Sequence, residues 1–240
     1  MDISRRNFFG AATGAAASLI GAAMRRGRTL EGGRTGESPS AGAHAVDCVL
    51  LDCGEACSLS ESLRGFEVAL AGARVPFVKI TEGPLPRCRK LIIPGCAAHS
   101  PAFASAVRGA LENGSSVVLE CGGMFAGLPE FIKHRDFLRS HFDLEVGSPA
   151  RLWEGADARR RVPYVDYVWP QRVKVRDFSR IVPISRAAGD VIAWADSAPI
   201  ALKRRIGKGT LVFLGSPLGP LLLAGDREAR NLSGMLVASV

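Results

Sequence analysis

Residues 90–123, KLIIPGCAAHSPAFASAVRGALENGSSVVLECGG, hold two short apolar runs on either side of one amphipathic segment. Lys90 to Ile93, apolar after its lysine, and Val117 to Leu119, apolar throughout, show the pattern of strands buried on both faces. Between them Pro101 stands at a helix start, where its missing N–H costs nothing, and Asn113-Gly114 closes the helix after Glu112. Pro94-Gly95 turns the chain out of the first run. Strand, helix and strand joined by short connections predict neighbouring parallel strands in a sheet covered by helices.

The same alternation extends toward the N-terminus. Val46 to Leu51 is nearly continuous in apolar residues and ends in Asp52-Cys53-Gly54. Ser58 or Ser60 caps a helix running to about Ala71, with Leu59, Leu63, Phe66 and Leu70 three and four apart, and Gly72 stops it. Val75 to Ile80 reads as another strand. These elements predict an α/β class: a doubly wound, flavodoxin-like, mostly parallel sheet with helices on both faces. After Cys121 a helical stretch carries Phe125, Phe131, Phe137 and Leu138 and is interrupted at Pro129. The C-terminal half is richer in strands, at 162–168, 172–175, 191–195, 200–205 and 210–214. Gly207-Lys208-Gly209 turns the last two into a hairpin. Asp226 caps a final helix to about Ser239 that places Ala229, Leu232, Leu236 and Val237 on one face.

The first 45 residues read differently. Ser4-Arg5-Arg6-Asn7-Phe8-Phe9 precedes a charge-free, Gly/Ala-rich run to Met24, the pattern of a twin-arginine export signal. Residues 1–24 are read as that signal, 25–45 as a flexible linker or the remainder of the signal, and 46–240 as the folded domain. Cleavage after Ala23 or after Ala45 fits the small-residue pattern. An exported, periplasmic or extracellular location follows, membrane-tethered if the signal is retained, with the twin-arginine translocation machinery as a partner through Arg5 and Arg6. The segment holds six arginines and three acids, so without it the formal charge falls from +8 to +5. Arg159-Arg160-Arg161 and Lys203-Arg204-Arg205 are short basic clusters, open to an acidic partner or to solvent. No nucleic-acid motif accompanies them. The six cysteines, at 48, 53, 57, 88, 96 and 121, show no spacing of a metal site, so neither a metal nor a cofactor is expected.

In a sheet of the predicted kind, ligands bind beyond the carboxyl ends of the strands. Two segments end there. Gly95 and Cys96 follow one strand and offer backbone amides to a ligand. Glu120-Cys121-Gly122-Gly123 follows the other as a candidate nucleophile elbow. Small neighbours allow a sharp turn, a helix N-terminus lowers the thiol pKa, and Glu120 is placed to accept the proton or to disfavour the thiolate. The alternative is a buried structural cysteine. Tyr164, Tyr167 and Trp169, with Trp153 upstream, form an aromatic concentration. Alternation puts Tyr167 and Trp169 on one face and Tyr164 on the other, for core packing or for sugar stacking.

The stretch from Val46 to Gly127 resembles the class I glutamine amidotransferase-like superfamily. Pro94-Gly95-Cys96 is similar to that family's Pro-Gly-Gly oxyanion loop with the last glycine replaced. Glu120-Cys121-Gly122-Gly123 is similar to its Gly-x-Cys-x-Gly elbow, with Leu119 at the first glycine. Ser216-Pro217-Leu218 stands where catalytic members carry His-Pro-Glu, and no histidine follows His141. The resemblance implies a domain without glutaminase activity, an exported binding or accessory module for a small-molecule or carbohydrate ligand held near Gly95, Cys96, Gly122, Gly123 and Ser216. The alternative it implies is a cysteine-dependent amidase or peptidase with Cys121 as nucleophile. Glu120, His134 or His141 would then be the base, with Asp52 or Glu55 tuning the thiol.

Overall fold

The computed structural model describes residues 46–54, 59–81, 84–97, 100–152, 163–177 and 179–239. The twin-arginine segment, its linker, Cys57, Glu55 and Trp153 lie outside the described residues, as does the side chain of Cys96.

The chain runs β1 (Val46–Leu51), α1 (Ser60–Gly72), β2 (Val78–Ile80), β3 (Cys88–Cys96), α2 (Pro101–Glu112) and β4 (Ser116–Cys121). A 3-10 turn (Gly123–Phe125) then leads to α3 (Leu128–Phe142), β5 (Leu144–Val146), β6 (Ala150–Arg151), β7 (Tyr164–Tyr167), β8 (Val173–Arg176), β9 (Arg180–Ile181) and β10 (Ile184–Ala187). β11 (Asp190–Ala195), β12 (Ala198–Ile206), β13 (Gly209–Leu214), α4 (Gly219–Leu223) and α5 (Arg227–Ser239) complete it.

Nine strands form one open sheet in the order β2-β1-β3-β4-β13-β12-β11-β7-β8, with β2 and β8 as its edges. β5 pairs with β10 and β6 with β9 in separate two-stranded ribbons. The expected doubly wound, mostly parallel, flavodoxin-like sheet is corrected here. The pairings from β2 to β13 are parallel, but those from β13 to β8 are all antiparallel, so half the sheet runs against the expectation. The cause is local: β11, β12 and β13 are joined by tight turns at Asp196 (φ 52°) and Gly207 (φ 58°), and strands joined this way are antiparallel neighbours.

Alternation along the strands sorts the core into two layers. Leu50, Ile92, Val118, Val212 and Leu214 face α1, α4 and α5 through Phe66, Leu70, Leu222, Leu232 and Leu236. Val49, Leu91, Ile93, Val117, Leu119, Leu211 and Phe213 face α2 and α3 through Val107, Leu111, Phe131 and Leu138. Each such side chain, fully buried, contributes about 1.5–3 kcal/mol.

Helix ends follow local chemistry, with two departures from expectation. Ser100 Oγ accepts the Phe103 amide at 3.1 Å ahead of Pro101, and Asp226 Oδ1 accepts the Ala229 amide at 2.9 Å. At α1, however, Leu59 is the N-cap without a side-chain bond, and Ser60 is already helical. Pro129 does not interrupt a helix. It lies in the first turn of α3, where its missing N–H has no partner to lose. The expected strand at 75–80 shortens to Val78–Ile80, and the short strands β5, β6, β9 and β10 carry too few residues for their alternation to stand out.

Candidate functional site

β4 delivers Glu120 and Cys121 to the carboxyl edge of the parallel strands, and successive residues of a strand point to opposite faces. Cys121 belongs to the layer under α3, where its Sγ lies 3.3 Å from His134 Nε2. Both are sealed, at 0% and 1% exposure. Gly123 makes room for the pair, since a Cβ there would stand 2.8 Å from His134 Cδ2. Burial pushes the Cys121 thiol up to about 12, against the lowering pull of the Gly123 and Met124 amides. Burial also pushes His134 down to about 4, against a hydrogen bond to the Ala97 backbone. At neutral pH the pair is a thiol beside a neutral imidazole, not a thiolate and an imidazolium.

The nucleophile-elbow expectation is corrected on three counts. Cys121 has no left-handed backbone, a short 3-10 turn rather than a long helix follows it, and α3 begins only at Leu128. Glu120 cannot serve Cys121 as a base because it points through the other face of the sheet. His141 lies along Phe137 with ring centroids 5.2 Å apart, and Asp52 accepts the Gly54 amide and pairs with Lys79. Cys48, Cys53, Cys88 and Cys121 are free thiols. Among the described residues no three His, Cys, Asp or Glu side chains gather as a metal site would require.

On the opposite face, Glu120 is fully buried, and its Oε1 accepts the Gly219 amide at 2.7 Å. Burial pushes its carboxyl up to about 7, moderated by the Ser62 hydroxyl and by the Gly219, Leu218 and Gly95 amides that face it. Oε2 makes no well-formed hydrogen bond. The Gly95 amide, expected to meet a ligand, is thus directed at a side chain of the protein itself. Gly95 takes φ 55°, and a Cβ there would press to 3.1 Å on Leu59 O. Contact between α1 and α4 is backbone on backbone: a Cβ on Gly65 would lie 1.8 Å from Gly219 O. That contact brings the Gly219 amide within reach of Glu120.

Ser216, just past β13, donates from Oγ to Asp177 Oδ2 at 2.5 Å, and Asp177 Oδ1 accepts the Ser179 amide at 2.8 Å. Asp177 is 1% exposed, and burial raises its pKa against the pull of Ser179 and Ser216. Tyr167 is buried beside them, its hydroxyl held neutral by burial and by the charges of Asp177 and Glu120. Asp177, bonded to Ser216, and Glu120 both bear on the Tyr167 hydroxyl, so these four buried groups make up the polar centre of this face. Of the expected site residues, Gly95, Glu120 and Ser216 belong to it, while Cys121 and Gly123 belong to the other face. Gly122 is the ordinary right-handed residue between them, and the Cys96 backbone pairs with Cys121. Asp177 was invisible as a site residue because its partner Ser216 is 39 residues away; only the Asp-x-Ser turn signature marks it. Tyr164 is 42% exposed and Tyr167 3%, on opposite faces of β7, and Trp169 packs on the Tyr167 side.

No protein-family model matches the chain, and no curated relative matches it by sequence. Solved structures that share its fold include several glycosidases and a protein matched along nearly its whole length. An exo-β-1,4-mannosidase from Opitutaceae bacterium strain TAV5 is 14% identical with a TM-score of 0.56, over 81% of this chain and 35% of the enzyme. A β-galactosidase from Rahnella sp. R3 is 12% identical with a TM-score of 0.58, over 82% and 30%. A cytoplasmic protein from Salmonella typhimurium LT2 is 10% identical with a TM-score of 0.54, over 80% of this chain and 99% of that one. The chain thus spans about a third of the length of the glycosidases it matches.

These neighbours overturn the amidotransferase-like resemblance and the functions drawn from it, both the amidotransferase-like accessory module and the cysteine hydrolase. The sealed Cys121 agrees with that correction. No comparison supports a twin-arginine signal in residues 1–45, which lie outside the described residues. A carbohydrate ligand is consistent with the neighbours.

Proposed function

We propose that this chain is a carbohydrate-recognising domain that does not hydrolyse glycosidic bonds at its polar centre. The observation that carries the reading is the match of four-fifths of this chain to about a third of a mannosidase and of a β-galactosidase. The Salmonella protein, matched along nearly its whole length, supports a domain that stands by itself. Most glycosidases use two carboxyl groups flanking the substrate, about 5–5.5 Å apart for retention or about 6.5–9.5 Å for inversion. Glu120 and Asp177 are the buried carboxyls among the described residues, and at 0% and 1% exposure neither meets a sugar.

Calorimetric titration with neutral manno- and galacto-oligosaccharides and with acidic galacturono-oligosaccharides, beside nitrophenyl β-mannoside and β-galactoside hydrolysis assays, tests this. Binding with a dissociation constant of about 1 mM or tighter, near −4 kcal/mol, and no release of nitrophenol above buffer are expected. Turnover that disappears in Glu120→Gln or Asp177→Asn would show that the centre opens and that the domain is an enzyme. No binding across neutral and charged glycans alike would end the carbohydrate reading.

A further inference from the structure

The amino edge of the parallel strands contrasts with the sealed centre in its open, charged clefts. One of them, about 510 Å³, is lined by Trp169, Asp190, Lys203, Arg205 and Thr210 near the end of α5. That volume lies within the range of small-molecule sites, about 300–1,000 Å³. Alternation in β12 builds it: Ala201, Lys203 and Arg205 face the α5 side, whereas Arg204 points away, its Nη1 donating to Phe142 O at 2.5 Å. The register sets Asp190 opposite Lys203 and Thr210 opposite Arg205. A Cβ on Gly189 (φ 136°) would stand 2.7 Å from Lys203 O, so glycine is what lets the start of β11 approach this closely.

The charges are unequally satisfied. Lys203 Nζ sits 4.8 Å from the Trp169 ring centroid and 3.7 Å from Asp190 Oδ2. Arg205 is exposed and has no ion pair or hydrogen bond among the described residues. A guanidinium fork left over beside a cationic, aromatic-walled cleft matches a planar carboxylate or a sulfate. The indole supplies an apolar wall for a sugar ring, and Asp190 and Thr210 supply an acceptor and a hydroxyl for ring substituents.

We propose that this cleft is a binding site for an acidic saccharide, with Arg205 and Lys203 holding the carboxylate or sulfate and the sugar ring lying against Trp169. The proposal rests on the carbohydrate reading above and names its ligand class and location. Both acid groups share one chemistry, an oxyanion on a pyranose, and separate probes distinguish them.

Tryptophan fluorescence and calorimetry with trigalacturonate, a sulfated galactose disaccharide, neutral galactotriose and inorganic sulfate provide the test. At least one acidic sugar should bind ten-fold or more tighter than galactotriose and weaken about ten-fold in Arg205→Ala. Arg205→Lys should recover part of that loss, and binding should fall as salt rises from 50 to 500 mM. Arg205 lies at the surface, so an unchanged melting curve certifies the variant's fold, and Trp169→Phe provides a second, conservative probe of the ring wall. Neutral glycans binding as well as acidic ones, untouched by either variant, would overturn this site and leave the carbohydrate reading standing. Inorganic sulfate binding as tightly as the acidic sugars would overturn saccharide recognition in the cleft. Absence of binding by every glycan would overturn both.

Discussion

The two edges of the sheet use charge in opposite ways. At the carboxyl edge Glu120 and Asp177 are enclosed, and the hydrogen bonds they accept come from the protein itself, from the amides of Gly219 and Ser179 and the hydroxyl of Ser216. At the amino edge Arg205 is exposed, and its side chain has no ion pair or hydrogen bond among the described residues. A buried carboxyl whose bonds are already made holds the fold together, and water and ligands do not reach it. An open cation with unsatisfied donors is free to meet a partner at small cost. Position at the customary ligand edge of an α/β sheet is therefore weaker evidence of function than whether a polar group still has bonds to give.

The strongest way to break the contrast is at the helix contact that seals the carboxyl edge. Gly65→Ala drives a methyl into the Gly219 carbonyl, and urea unfolding should show a loss of about 3 kcal/mol or more. A loss below about 1 kcal/mol would mean that α4 slides freely on α1.

The pH dependence sharpens the same comparison from within. Glu120 titrates near 7 when folded against 4.5 in the unfolded chain, so its contribution to stability falls as pH rises across that window. His134 titrates near 4 when folded against 6.5 unfolded, so its contribution rises with pH across nearly the same window. Between pH 4.5 and 6.5 the two oppose each other, each by about 2–3 kcal/mol. Denaturation midpoints of Glu120→Gln should therefore climb with pH over this range, and those of His134→Gln should drop. Parallel profiles for the two variants would show that one of these groups is solvated.

A smaller effect concerns the thiols. Iodoacetamide at pH 8 should label half-buried Cys53 before Cys121, with Cys121 reacting only on the timescale of unfolding. Rapid modification of Cys121, resolved by peptide mapping, would mean that the β4 end opens in the native state.

The βαβ unit at 90–123 was legible because its apolar runs, Pro101 and the Asn113-Gly114 stop are local signals. Asp226 was legible for the same reason. The sheet's antiparallel half was legible only where Gly207 marks a hairpin. Nothing local states that β13 lies beside β4 in parallel while it lies beside β12 in antiparallel. The site was read less well. Period-two alternation already placed Glu120 and Cys121 on opposite faces, so a base at 120 for a nucleophile at 121 conflicts with the strand itself. Burial decided the rest: a strand-end thiol is reactive when α3 leaves it open and inert when Phe131 and His134 cover it, and that depends on how α3 docks. The link from Asp177 to Ser216 crosses the sheet and leaves no spacing to read.

The open sheet also bears on how the molecule behaves in company. β2 is only three residues long, and its central Lys79 is held by Glu67 and Asp52 at 2.9 and 3.4 Å. At the far edge, β8 alternates Val173 and Val175 with Lys174 and Arg176. A strand from another molecule adding to either end would have to strip water from these cations, a cost that short or charged borders impose on cross-molecule pairing. The ninth strand is thus a terminus in the polymer sense: the ladder stops there because its last rung discourages another.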